Sequence, residues 1–276
     1  MSARKDAIPT ADSYPIFDLQ TYCGYHGPTG RFSKEIKVGT KLWFEKYKPT
    51  VGGEGQLEML RALNPAVLAT SVYPGAGYTQ QRFCSDFLAY LFMLDEISDE
   101  LDIPNNVCVA DIVLNALNHP ATDRSPARVA IMARELSILS CDTGYSLTRH
   151  PHSLIRRRLP GLTRLRFIEM FGYFFQSVED QTQDRLSGDI PTLDNYIRLR
   201  RDTSACKLCW VVIEWAYNLD IPEDVLAHPV IYGLGEAVND LVAWSNVCRA
   251  IFHSTKAKSE AGSLLLQRRA FQRRQS

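Results

Sequence analysis

The sequence lacks an apolar run of about 18 residues, and its first residues, MSARKDAIPTADS, lack the apolar region of a signal peptide. It also lacks net charge, since 31 Lys and Arg balance 31 Asp and Glu. The first absence argues against a membrane span, and the second argues against nucleic acid or an acidic membrane as a partner. The seven cysteines are scattered and odd in number, which indicates reduced thiols. We therefore expect a soluble, cytoplasmic protein.

Several motifs that would indicate other chemistry are also missing. The sequence has no glycine-rich phosphate loop, no internal repeat and no strand-like alternation of useful length. Cys206 and Cys209 form a CxxC pair with no second pair nearby, so buried thiols are a better interpretation than a zinc site. No Ser-His-Asp or Cys-His arrangement can be read from the spacing. What remains is helical periodicity.

This periodicity predicts an all-α fold in a single domain. An irregular, Pro- and Gly-rich segment (1–33) precedes the helical domain (34–250), and a basic tail (251–276) follows it. The stretch 140–160 breaks the periodicity. The predicted helices are 34–47, 55–71, 77–101, 108–117, 125–139, 160–186, 192–200, 203–218, 222–226 and 229–250.

One predicted helix changes abruptly from apolar to acidic, in the segment LFMLDEISDEL (residues 91–101). Asp95 and Asp99 are four residues apart, so a helix places them on one face with about 5–6 Å between their Cβ atoms. The two carboxylates repel each other, and Mg²⁺, which prefers hard oxygen ligands, would reverse that interaction. The alternative is a solvated helix end without a ligand, in which case the apolar residues from Phe83 to Leu94 are ordinary core.

Two later segments also carry unusual polar residues. Arg200 and Arg201 stand in YIRLRRDTSACK, just before a plausible helix start. Asn239 and Asn246 stand inside the apolar helical segment EAVNDLVAWSNVCRAIF. Together with the acidic segment, these features resemble the class I terpene synthases, and more narrowly the basidiomycete-type sesquiterpene synthases of fungi. The resemblance covers roughly residues 15–247.

The resemblance implies an isoprenoid synthase helical bundle with a metal site. Asp95 would bind Mg²⁺, with Asp99 as the weaker second acid of the motif. Asn246 would be the first residue of an Asn/Ser/Glu triad of metal ligands. The helices that carry Asp95 and Asn246 are far apart in sequence, and we expect these two side chains to face each other across one cavity mouth.

The resemblance also implies a substrate-binding arginine. Arg201 would contact the diphosphate of the substrate, because Ser204 and Ala205 then fall on the linker and helix-break positions of the family; Arg200 remains possible. Three Mg²⁺ and basic groups would remove diphosphate from farnesyl diphosphate. An apolar cavity wall would then fold the resulting cation for ring closure.

The C-terminal segment departs from the pattern of the family. From Asn246, the triad requires Ser and Glu where this chain has Ala250 and Ser254, and the register that starts at Asn239 fails as well. The tail FHSTKAKSEAGSLLLQRRAFQRRQS resembles nothing in the family, so we expect a bundle whose C-terminal helices are missing. We hypothesise a frameshift or a misjoined exon near residue 247; a true, divergent tail is the alternative.

Three functions stay open on the sequence. The first is a sesquiterpene synthase that ionises farnesyl diphosphate with Mg²⁺ and cyclises the cation. The second is a truncated or frameshifted relative that is catalytically inactive. The third, from outside the family, is a non-catalytic helical interaction protein whose acidic face is solvated. Neither the product skeleton nor the oligomeric state can be read from the sequence.

Overall fold

A computed structural model describes residues 32–47, 55, 58, 62–137, 161–188 and 191–246. Within these ranges the chain is helical with connecting turns and contains no β-strand, which confirms the expected all-α fold. The chain divides into two compact units, one of Gly27–Ala243 and the other of Met1–His26 with Trp244–Ser276. The first unit contains the acidic segment and both arginines.

The helices follow the predicted order. They are α1 (Ser33–Lys46), α2 (Pro65–Val72), α3 (Tyr78–Glu100), α4 (Ile103–Asn118), α5 (Arg128–Ser137), α6 (Gly161–Ser187), α7 (Leu193–Thr203), α8 (Cys206–Tyr217), the short α9 (Glu223–Leu226) and α10 (229–246). Helix α3 packs against α1, α2, α5 and α8, and α6 packs against α4, α7 and α8. The basic tail and the segment 140–160 lie outside the described residues.

Two helix starts differ from the prediction for local reasons. The helix predicted over 55–71 is interrupted at Asn64, which has a left-handed backbone (φ 46°). Steric contact with the ring of Pro65 disfavours the right-handed helical conformation at Asn64, so a new helix, α2, begins at Pro65. Helix α4 begins at Ile103 rather than at 108, because the Asp102 side chain accepts a hydrogen bond from the N–H of Asn105 and caps the helix.

The core is rich in aromatic rings between α3, α6 and α8. Phe87 and Phe171 are fully buried and meet edge to face, with 6.5 Å between ring centroids. Phe83 packs against Trp215 at 4.4 Å. Burial of such a side chain contributes roughly 1.5–3 kcal/mol, so this cluster holds α3 in the centre of the unit. The apolar residues from Phe83 to Leu94, which we expected as core or cavity wall, are part of this apolar cluster.

A buried ion pair fixes α1 on α3. Arg82 is 1% exposed and pairs with Asp86 one turn later, and its Nη1 donates to Thr40 of α1 at 3.0 Å. Burial lowers the pKa of Arg82 to about 10. The guanidinium lies so close to Gly39 that a Cβ there would stand 2.4 Å from Nε. Glycine at this position therefore lets α1 approach the buried charge.

Helix α10 presents an apolar face to solvent. Among the described helices, none is long and apolar enough to cross a membrane. No described residue covers this face, and such contiguous apolar surface promotes association. Its large exposed apolar residues are Val230, Ile231, Leu234, Val238, Leu241 and Val242.

Candidate active site

The acidic residues occupy the last two turns of α3. Asp95, Glu96, Asp99 and Glu100 are all exposed there. Asp95 and Asp99 are one turn apart, as predicted. The same face continues towards the interior through Leu91, four residues before Asp95, which is buried. The carboxylates therefore stand at the solvent end of a face that becomes apolar within one turn.

The electrostatics of this end single out Asp95. Although Asp95 is open to solvent at the surface, the surrounding protein removes part of the hydration of its carboxylate, and this raises its pKa. The negative charges of Asp99 and, to a smaller extent, Glu96 raise the pKa further, whereas the positive charge of Arg200 opposes them. Asp95 thus lies in a negative field that Arg200 only partly neutralises.

Asp99 has a cationic partner that the sequence did not indicate. Nη1 of Arg185, in the last turn of α6, lies 3.2 Å from Oδ1 of Asp99. Nη2 of the same arginine donates to Thr182 Oγ1 at 3.2 Å. Both members of the Asp99–Arg185 pair are exposed, so the pair contributes at most about 1 kcal/mol and is easily exchanged.

The helix break that the resemblance implied lies between α7 and α8. Ala205 has a left-handed backbone (φ 58°, ψ 11°), which ends one helix and lets the next begin at Cys206. The Ser204 hydroxyl accepts a hydrogen bond from the N–H of Cys206 at 3.2 Å and so caps α8. Arg200 and Arg201 occupy the turn of α7 that immediately precedes the break.

The two adjacent arginines point in different directions. Arg201 turns to α10, where Nε and Nη2 bind Asp240 at 2.8 and 2.6 Å and Nη1 lies 3.1 Å from Glu236. Arg200 makes none of these contacts with α10 among the described residues, and its positive charge acts on Asp95, whose pKa it lowers. Its Nη1 donates to Thr203 at 3.4 Å, whereas its buried Nε has no hydrogen-bond partner within the described part of the chain.

The two asparagines of α10 also differ. Asn239 is fully buried, and its side chain bonds to the carbonyl of Arg201 and to Ser204, both at 2.7 Å. It therefore stabilises the helix break, and both polar atoms of its side chain are already hydrogen-bonded. Asn246 is the last described residue of α10, is exposed, and belongs to the second compact unit. The expectation that it shares a cavity mouth with Asp95 stays a prediction.

A small void in the core is separate from this site. Its volume is about 20 Å³, enough for one water-sized molecule. Its lining includes Phe83, Arg164, Phe167 and Trp215. It contains no residue of the acidic segment and neither Arg200 nor Arg201. This void lies between α3, α4, α5, α6 and α8 and is far too small for an isoprenoid chain.

The ligand set within the described residues is incomplete. In those ranges no group of three or more His, Cys, Asp or Glu side chains is arranged to hold a metal ion. The CxxC thiols are free; burial raises the pKa of Cys206, and it raises that of Cys209 to about 12. Both thiols therefore stay protonated at neutral pH.

Sequence comparisons identify the family of the chain. The family described as terpene synthase family 2, C-terminal metal binding, matches residues 86–247. The chain is 45% identical over 229 residues to sesquiterpene synthase Agr1 of Cyclocybe aegerita, which covers 83% of this chain and 61% of the relative. It is 39% identical over 248 residues to sesquiterpene synthase 1 of Postia placenta, covering 89% and 67%. The chain thus spans about three fifths to two thirds of the length of these relatives.

Solved structures support the fold. Germacradien-4-ol synthase from Streptomyces citricolor superposes with a TM-score of 0.65 at 16% identity, covering 82% of this chain and 71% of that chain. A single-residue variant of cucumene synthase superposes with the same score at 16% identity, covering 84% and 72%. At this low identity the similarity concerns the arrangement of the helices alone.

Proposed function

Because the chain belongs to the terpene synthase family, we propose that it is a sesquiterpene synthase that ionises farnesyl diphosphate with Mg²⁺ and cyclises the product. The identity to two named sesquiterpene synthases supports the substrate class. The observation that carries the proposal is the electrostatic interaction of Asp95 with Arg200, which lowers the pKa of Asp95. A carboxylate that can hold a cation and a guanidinium that can hold diphosphate therefore lie within electrostatic range of each other, on helices far apart in sequence.

The acidic end of α3 fits a magnesium ion. Mg²⁺ is commonly held by one or two carboxylates together with water and phosphate oxygens. Asp95 supplies an exposed carboxylate in an unneutralised negative field, and Asp99 supplies a second once its exposed pairing with Arg185 is exchanged. A bound ion there would act as a Lewis acid and stabilise the negative charge of the departing diphosphate.

Arg200 is our proposed diphosphate ligand, in preference to Arg201. Its Nε is buried without a partner among the described residues, and its charge lies in the field of Asp95. A guanidinium presents several N–H donors that match phosphate oxygens in pairs. Arg201 would have to break its contacts with Asp240 and Glu236 before it could bind the substrate.

The apolar residues next to Asp95 would receive the isoprenoid chain. Leu88 and Leu91 are buried on the face of α3 that leads inward from Asp95, and Phe92 is half-buried on the same side. Apolar walls exclude water from a carbocation, and a ring such as that of Phe92 adds a cation–π attraction of about 0.5–2 kcal/mol. These side chains would protect the cation during ring closure.

The proposal is tested by incubating the purified chain with farnesyl diphosphate and Mg²⁺ and measuring hydrocarbons by gas chromatography. Thermal melts with Mg²⁺ and inorganic diphosphate provide a second readout that needs no turnover. We expect Mg²⁺ with diphosphate to raise the Tm of the wild type and of Glu100→Gln, which alters an exposed carboxylate at the same helix end. Asp95→Asn should lose the increase. No increase in the wild type, or equal losses in both variants, would contradict a specific site.

A second function is favoured by the sequence after Asn246. Ala250 and Ser254 occupy the positions where the family's triad requires Ser and Glu, so two metal ligands of that triad are absent. A relative with Asp95 and Arg200 but without these ligands would bind diphosphate and turn over little substrate. Stabilisation by Mg²⁺ with diphosphate, without detectable hydrocarbon, identifies this second function.

A further inference from the structure

The break between α7 and α8 is held in an unfavourable conformation. Ala205 adopts a left-handed backbone, which its Cβ disfavours and which glycine would adopt readily. Such a residue keeps this conformation only when its surroundings impose it. Some contact beyond the two helices must therefore fix the break.

Asn239 of α10 provides that contact, because its side chain joins both sides of the break. Its Nδ2 donates to the carbonyl oxygen of Arg201, in the last turn of α7, at 2.7 Å. Its Oδ1 accepts from the Ser204 hydroxyl at 2.7 Å, and that hydroxyl caps the N–H of Cys206 in α8. The asparagine is fully buried, so water cannot replace these bonds.

Charged side chains of α10 hold the same turn. Asp240 and Glu236 bind the Arg201 guanidinium. Lys207, in the first turn of α8, bonds to Asp202 at 2.6 Å and lies 3.5 Å from Glu236. Both sides of the break are therefore attached to one helix.

This attachment also determines where Arg200 points. Consecutive residues on an α-helix are rotated by about 100° around its axis, so Arg200 and Arg201 cannot face the same neighbour. With Arg201 bound to α10, Arg200 is directed to another side of α7, where its Nη1 donates to Thr203 at 3.4 Å and its charge acts on Asp95.

We propose that Asn239 is a positioning residue that fixes the helix break at Ala205 and thereby directs the Arg200 side chain towards the acidic end of α3. Asp240 supports it by binding Arg201. The effect of this arrangement on catalysis rests on the proposed function. The role of Asn239 in fixing the helix break and directing Arg200 does not depend on it. Asn239 touches neither substrate nor metal and acts through Arg200.

The first experiment uses the protein without ligands. Hydrogen exchange followed by mass spectrometry should show faster exchange across residues 201–206 in Asn239→Ala, and in Asn239→Asp, which lacks the donor to the Arg201 carbonyl. Val238→Ala alters an exposed neighbour on α10 and should leave exchange unchanged. Unchanged exchange at the break in Asn239→Ala would overturn the proposal.

The second experiment, also without ligands, measures the coupling between the side chains of Arg200 and Asp95. A double-mutant cycle of Arg200→Gln and Asp95→Asn in urea denaturation gives the coupling between the two side chains. We expect measurable coupling in the wild type and none in the Asn239→Ala background. Coupling that persists without Asn239 would show that something else directs Arg200, and would overturn the proposal.

The third experiment separates positioning from general stability. Trp43→Phe removes the 2.9 Å hydrogen bond to Glu135, between α1 and α5, and serves as a destabilised control remote from the break. Calorimetric titration with inorganic diphosphate and Mg²⁺, well below both Tm values, should show at least about tenfold weaker binding for Asn239→Ala. The control should stay within about twofold of the wild type; equal losses in both would contradict positioning. Absence of wild-type binding, with the first two results as expected, would reject the proposed function and leave the arrangement standing.

Discussion

Arg201 binds both carboxylate oxygens of Asp240, through Nε at 2.8 Å and Nη2 at 2.6 Å. Such bidentate pairs are directional as well as charge-assisted. The contact ties the turn before the helix break to α10, whereas the charge of the neighbouring Arg200 acts on Asp95. Two adjacent arginines of one helix therefore have different roles, and the following predictions begin with that difference.

Replacing each arginine should separate ligand binding from stability. Arg200→Gln should abolish the increase in Tm that Mg²⁺ with inorganic diphosphate produces, because the proposed diphosphate ligand is lost. Arg201→Gln should lower the free energy of unfolding by about 1 kcal/mol, since Asp240 and Glu236 lose a partner that is about one third exposed. Thermal melts and urea denaturation measure the two effects. Loss of the increase in Tm in Arg201→Gln, and not in Arg200→Gln, would indicate that Arg201 is the diphosphate ligand.

The two aspartates of α3 should contribute unequally. Asp95→Asn should abolish stabilisation by Mg²⁺ with diphosphate, and removal of the metal with EDTA should do the same to the wild type. Asp99→Asn should weaken it less, because Asp99 is already paired with Arg185. Glu96→Gln and Glu100→Gln should have the smallest effects. Equal losses in all four variants would indicate nonspecific charge in place of a metal site.

The left-handed residue at the break should accept glycine with a gain in stability. Ala205→Gly should raise the free energy of unfolding by about 0.5–1 kcal/mol, since glycine adopts a positive φ without steric cost. The matched control is Ala237→Gly in the helical, exposed part of α10, which should lower it by about 1 kcal/mol. Urea denaturation measures both. A loss of stability in both variants would mean that Ala205 is not strained.

Glu135 should contribute to the pH dependence of the free energy of unfolding. Burial by itself would raise the pKa of Glu135, but hydrogen bonds from Lys46, Tyr47 and Trp43 outweigh it and hold the pKa below its usual value of 4.5. The carboxylate is thus stabilised in the folded state, and that contribution is complete above the unfolded-state pKa and lost as the pH falls through the folded-state value.

Glu135→Gln should therefore lower the free energy of unfolding by about 1–2 kcal/mol at pH 7. The difference from the wild type should shrink as the pH falls below 4.5. Urea denaturation at a series of pH values measures it, with Glu45→Gln, a partly exposed carboxylate of α1, as the control. A difference that stays constant down to pH 3 would show that the charge of Glu135 is not what stabilises the contact.

The apolar face of α10 should promote self-association. Leu234→Lys places a charge on that face, where Leu234 is 58% exposed, and should reduce concentration-dependent association in light scattering. Leu186→Lys adds the same charge at the end of α6, where the leucine is 63% exposed, and is the control. Equal reductions in both variants would mean that net charge, and not this face, governs association.

The sequence by itself determined the fold class, the order of the helices and the family. Helical periodicity acts over a few residues, so a local pattern is sufficient to predict the helices, although the exact starts at Pro65 and Ile103 differ from the prediction. The same holds for the acidic end of α3, where Asp95 and Asp99 share a face because they are four residues apart.

Only the tertiary structure decided how the polar residues are used. Arg200 and Arg201 are neighbours of the same type, and the choice between them depends on Asp240 and Glu236, more than 30 residues further on. The partner of Asp99 is Arg185, which is 86 positions away and has no local signal. Asn239 could be taken for a metal ligand until its contacts across the helix break were known. A side chain's direction around its helix follows from local geometry, but the group that it meets there is set by the packing of other helices, and no local pattern records it.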